Sequence, residues 1–152
     1  MKFMKNLVIL SLTSVMLITT ACEDDDATES KPENGTISGI VTFTGTYPET
    51  GDVMLTLDTA YPPQGAPAGF KMIAQTDLDN GSYVYSFGEL AFGDFAALTI
   101  TYWPNGYSTG SMDYTLLGSY PNPLIPPVSS FTLDEDNAAM IIDIDADFST
   151  QP

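Results

Sequence analysis

Residues 79–100 read DNGSYVYSFGELAFGDFAALTI, and Thr101 to Trp103 continue the same run. Asn80 and Gly81 both tolerate positive φ, so the pair signals a tight turn. Directly after it, Tyr83, Tyr85 and Phe87 alternate with Ser82, Val84 and Ser86 and share one face. The segment 89–95 is a short connection containing Gly93, after which Leu98, Ile100 and Tyr102 alternate with Thr99, Thr101 and Trp103. Two period-2 runs rich in β-branched and aromatic residues predict pleated strands, the second of them central in a sheet.

The same alternation extends in both directions. Upstream, Ile37, Val41 and Phe43 share a face with Gly39 between them, and Val53, Leu55 and Leu57 alternate with Met54, Thr56 and Asp58. The segment 60–69, AYPPQGAPAG, lacks the donors of a central strand and reads as a surface loop. A strand over 70–76 is expected to form a hairpin with 82–87 through the turn 77–81. Downstream come a turn-rich loop over 104–110, a strand over 112–119, a proline-rich crossing over 121–127 and a short strand over 130–133. A final strand over 138–148 carries Ile142, Ile144, Ala146 and Phe148 on one face, with Asp143, Asp145 and Asp147 on the other. No helix-period segment follows the leader, residues 1–21, and no internal repeat is present. The expectation is an all-β chain, a single β-sandwich over 36–149 with about seven to eight mainly antiparallel strands.

Two stretches, ISGIVTFTG at Ile37 to Gly45 and the run from Asp79 to Ile100, resemble carboxypeptidase regulatory-like, or transthyretin-like, domains. That resemblance implies a β-sandwich. The long proline loops and acidic last strand depart from the short form of the family, and an immunoglobulin-like topology stays open.

The N-terminal part has a different composition. Lys2 and Lys5 precede an apolar core, Leu7 to Ile18, too short to span a bilayer as a helix, so residues 1–21 are expected to be a signal peptide. The stretch LITTACEDDD, Leu17 to Asp26, ends that core in small residues and the single cysteine. It resembles the lipobox of bacterial lipoproteins, closely at Ile18, Ala21 and Cys22 and more loosely at Thr19 and Thr20. The resemblance implies lipidation of Cys22 and a membrane anchor through its acyl chains. Residues 22–35, acidic and without a large apolar side chain, are expected to be a disordered tether. The run Glu23 to Asp26 resembles acidic export signals that place lipoproteins on the outer face of the outer membrane, with periplasm-facing anchoring as the alternative.

Charge and residue types exclude much. The chain of 152 residues has a formal net charge of −16, which becomes −18 once Lys2 and Lys5 leave with the leader, since all 20 acids lie beyond Cys22. Such a surface repels phosphate backbones, so nucleic acid is not an expected partner. With no histidine and no arginine, imidazole bases, imidazole metal ligands and bidentate anion clamps are absent. No Ser or Thr has an evident activating base, and no enzyme activity is expected.

Three groups remain as candidate sites. Asp77, Asp79 and Asn80 before Gly81 offer oxygen ligands of the kind Ca²⁺ accepts, although they are also ordinary hairpin residues. Asp143, Asp145 and Asp147 form a ladder that a cation would relieve or that water would solvate. Tyr61, Tyr107 and Trp103, with Tyr114 and Tyr120, lie in or beside loops where rings can stack on sugars or anchor a protein. No other cofactor is expected. The functional expectation is a non-enzymatic, lipid-anchored envelope module with a protein or glycan partner. The alternatives are a purely structural envelope lipoprotein and a small carbohydrate-binding component of a glycan-uptake system.

Overall fold

The computed structural model describes residues 31–108, 111–126 and 128–151. The expected leader, Cys22 and the tether up to residue 30 lie outside the described residues. Near the first of them, Lys31 pairs with Glu135 at 2.8 Å, with both side chains well exposed. Such a pair contributes little to stability.

Ten strands form three sheets among the described residues. In the first sheet, β1 (Gly35–Thr44) is flanked on one side by antiparallel β4 (Ser82–Leu90). On its other side run β9 (Ala139–Ile141) and β10 (Ile144–Asp147), both parallel to β1. The second sheet is antiparallel, in the order β3 (Gly69–Ile73), β2 (Asp52–Asp58), β6 (Ala97–Trp103) and β7 (Thr115–Tyr120). A small third sheet pairs β5 (Gly93–Phe95) with β8 (Phe131–Leu133).

The all-β sandwich expected from the alternation is what forms. Ile37, Val41, Phe43, Tyr85, Phe87, Ile144 and Ala146 from the first sheet meet Val53, Leu55, Leu57, Leu98, Ile100 and Tyr102 from the second in one buried cluster. Burying side chains of this size stabilises by roughly 1.5–3 kcal/mol each relative to exposure, which is the main force holding the sheets together. Along one side the sheets close backbone to backbone: a Cβ on Gly118 of β7 would lie 2.3 Å from the Asp145 carbonyl oxygen of β10. No helix among the described residues is long and apolar enough to cross a membrane.

Three local expectations differ from the structure. The turn at Asn80-Gly81 forms, with φ of 50° and 80° and a two-residue bridge between Asp79 and Ser82. However, β3 and β4 do not pair across it. Asp77 accepts a hydrogen bond from the Ala74 amide at 2.8 Å and closes a 3₁₀ turn over Gln75–Asp77, which carries the chain from the second sheet to the first. The final strand is split after Ile141, where the Asp143 carboxylate accepts from the Ile40 amide at 2.8 Å in place of a strand carbonyl. Finally, the connection after β4 contains β5, held by β8 and by the stacked rings of Phe95 and Phe131 at 6.0 Å. The split strand and β5 together account for ten strands rather than eight.

Candidate functional site

The outward residues of β2 are Asp52, Met54, Thr56 and Asp58, and their partners on β6 are Trp103, Thr101, Thr99 and Ala97. In a two-layer sandwich such an outer face meets water. Here Met54, Asp58, Thr99 and Thr101 are all buried. The cover comes from aromatic side chains at the ends of β6 and β7. Trp103 folds back along its own strand and donates from Nε1 to Thr101 Oγ1 at 2.9 Å. Its ring lies 4.9 Å from that of Tyr107, at an interplanar angle of 50°, and 5.1 Å from that of Tyr114, at 36°. Tyr61 approaches the Tyr114 phenol from the loop after β2.

The three aromatic candidates from the sequence, Tyr61, Trp103 and Tyr107, therefore meet on one face, joined through Tyr114. All four are half-buried. Burial raises the Tyr114 phenol pKa, with smaller contributions from Tyr61 and Asp58. Burial likewise raises that of Tyr107, aided by the charge of Asp52 and a hydrogen bond to it. Tyr120 stands apart and packs edge-on against Phe131 at 5.4 Å.

Asp58 is the residue that sequence reasoning passed over. It ends β2 only 5% exposed, and a hollow of about 170 Å³ lies over it, walled by Thr59, Ala60, Gln64, Gly65 and Ala66. Thr56 Oγ1 donates to Asp58 Oδ2 at 3.0 Å and lies 2.8 Å from Thr99 Oγ1. A hydroxyl carries one proton, so with Thr56 donating to the carboxylate, Thr99 must donate to Thr56. This short relay polarises towards Asp58. Among the described residues, Asp58 Oδ1 receives no hydrogen bond, and burial raises the carboxyl pKa against the lowering effect of Thr56.

The raised pKa has a thermodynamic consequence. Between the ordinary carboxylate pKa and the raised one, the folded state binds more protons than the unfolded state, so stability falls as pH rises through that window. Asp58→Asn keeps an acceptor for Thr56 and removes the charge. It is expected to be more stable than wild type at pH 7 by about 1 kcal/mol, with the difference shrinking as pH falls through the raised pKa and gone below the ordinary carboxylate value. Urea unfolding at both pH values checks this; a less stable variant at pH 7 would contradict the buried-charge account.

The two acidic candidates are engaged differently. Asp77 caps the 3₁₀ turn, and Asp79 Oδ1 accepts from Asn80 Nδ2 at 2.9 Å. Asp143 holds the Ile40 amide, and Asp147 accepts from the Ser149 amide at 2.8 Å, a bond that lowers its pKa. Asp145 is exposed on β10. Among the described residues, no group of three or more His, Cys, Asp or Glu side chains is placed to hold a metal ion. No protein-family model, no curated protein and no solved structure matches the chain.

Proposed function

We propose that this chain is a non-enzymatic, lipid-anchored envelope protein that binds a partner through the outer face of its second sheet. The observation that carries the reading is the gathering of Tyr61, Trp103, Tyr107 and Tyr114 over a buried polar row on that face. Half-buried aromatic rings are side chains that anchor partners with little loss of rotamer freedom. The anchor rests on the lipobox resemblance at Cys22, and the surface-exposed placement on the outer membrane rests on the resemblance of Glu23 to Asp26 to acidic export signals. The acidic segment after Cys22 would give the domain reach. The resemblance to regulatory-like sandwich domains belongs to the same proposal.

One experiment separates the parts. Wild type, Cys22→Ala and a Tyr61→Ala, Tyr107→Ala double variant are expressed in a Gram-negative host, fractionated, and crosslinked to envelope components. Cys22→Ala is expected in the soluble fraction, and continued sedimentation with membranes would overturn the anchor. The double variant is expected to remain membrane-bound and lose the crosslinked partner. An unchanged set of crosslinks would overturn the binding face.

A further inference from the structure

We propose that the hollow over Asp58 is a site for a primary alkylammonium group. The inference deepens the binding-face reading and rests on it. Asp58 is more than nine-tenths buried, and its Oδ1 takes no hydrogen bond from the described residues. The hollow of about 170 Å³ that the residue lines has room for an amine head and part of its alkyl stem. A buried carboxylate left without a counter-charge is costly, and a partner that brings one recovers that cost.

The described residues do not supply the counter-charge themselves. The chain has no arginine or histidine. Of the two lysines among the described residues, Lys31 pairs with Glu135 and Lys71 sits over the Phe87 ring at 5.6 Å. The cation has to come from outside the described residues, and their net negative charge draws cations towards them.

The free oxygen also selects among cations. Thr56 already occupies Oδ2, so the carboxylate presents one oxygen rather than a fork. A guanidinium, which binds carboxylates best through two parallel bonds, loses its advantage there, whereas an ammonium acts as a point charge with three donors. At the wall, the Gln64 amide nitrogen donates to the Pro62 carbonyl at 3.1 Å, which leaves the Gln64 side-chain carbonyl free to accept. A neutral hydroxyl could bond Oδ1 but would leave the charge uncompensated. Thr56 bonds Asp58, Thr99 on β6 bonds Thr56, and the Tyr114 phenol, beside Tyr61, feels the charge of Asp58; none of these groups is cationic.

The test follows backbone amide shifts of Thr59, Ala60, Gly65 and Ala66 in the full chain held in detergent micelles. n-Butylammonium is compared with n-butanol, tetramethylammonium and the peptide Gly-Lys-Gly. Saturable shifts with n-butylammonium at millimolar concentration are expected, weakened about tenfold or more in Asp58→Asn, with little response to the alcohol or the quaternary ion. A stronger response to Gly-Lys-Gly would identify a lysine side chain as the source of the amine, and a weaker one a free amine. Equal binding of butanol, an undiminished response in Asp58→Asn, or no saturable shift up to about 100 mM would overturn the proposal. Because Asp58→Asn is expected to be the more stable protein, its loss of binding would not be a loss of folding. The crosslinking result for the aromatic variant is independent: if it stands while the amine fails, only the assignment of Asp58 falls.

Discussion

Gly39→Ala is expected to destabilise the protein by about 4 kcal/mol or to prevent folding, because the new methyl has nowhere to go. A Cβ on Gly39 would lie 1.9 Å from the Ile142 carbonyl oxygen and 2.6 Å from its carbon, both backbone atoms. Relief would require the segment between β9 and β10 to lift from β1. That movement would break the Ile142 amide to Ser38 carbonyl bond at 2.8 Å, the Ile40 amide to Asp143 bond, and the bond the buried Tyr85 hydroxyl donates to Ile142. Each contributes about 1 kcal/mol beyond the overpacking itself. Urea unfolding measures the loss. Gly65→Ala is the control, since a methyl at that position would have nothing within 4 Å and its backbone is unstrained. A change below about 1 kcal/mol for Gly39→Ala would mean that the last strands do not pack against β1 as described.

The second large effect is expected at Phe148, in the 3₁₀ turn Phe148–Thr150 that follows β10. Its ring stacks on Phe43 at 4.7 Å with an interplanar angle of 3° and meets the edge of Tyr47 at 5.2 Å. Phe148→Ala removes both partners and is expected to cost about 3 kcal/mol, the lower part of the range for such truncations. The lower part applies because a hollow of about 380 Å³ already opens beside the ring, between Phe43, Tyr47, Gln75 and Leu78, so water fills the space that a sealed core would leave empty. Phe148→Leu retains most of the volume and should recover more than half of the loss in thermal melts. Equal destabilisation by the two variants would indicate that ring stacking, not volume, holds this end.

Legibility varied with the range of the interaction. Strand faces were readable because alternation is local: the inward sets of β1, β2 and β6 are the apolar sets of the sequence. Partners were not. Phe70 to Ile73 and Ser82 to Phe87 look like a hairpin around Asn80-Gly81, and only the backbone bond to Asp77 shows that they belong to different sheets. Asp143 looked like one rung of an exposed acidic ladder, yet its carboxylate stands in for a backbone acceptor and interrupts the strand. At the site, the loop positions of Tyr61, Trp103 and Tyr107 signalled rings near a surface. Nothing in the alternation of Met54, Thr56 and Asp58 indicated that their face is roofed. The available signal was an acid closing an apolar strand immediately before a proline-rich loop, a position where the loop can fold over a charge.

The position of β1 also sets an order of events. It is the inner strand of its sheet, with one edge satisfied by β4 and the other by the last strands of the chain; Ile40 and Asp143 are 103 residues apart. Among the described strands β1 comes first, and those that complete its second edge, β9 and β10, come after all the others. Until Ala139–Ile141 and Ile144–Asp147 have paired with it, one side of the central strand has only unpaired amides and carbonyls. Contacts this distant in sequence slow folding, and an open edge invites pairing with other chains. Completion of the first sheet is therefore a late step, which waits on β9 and β10.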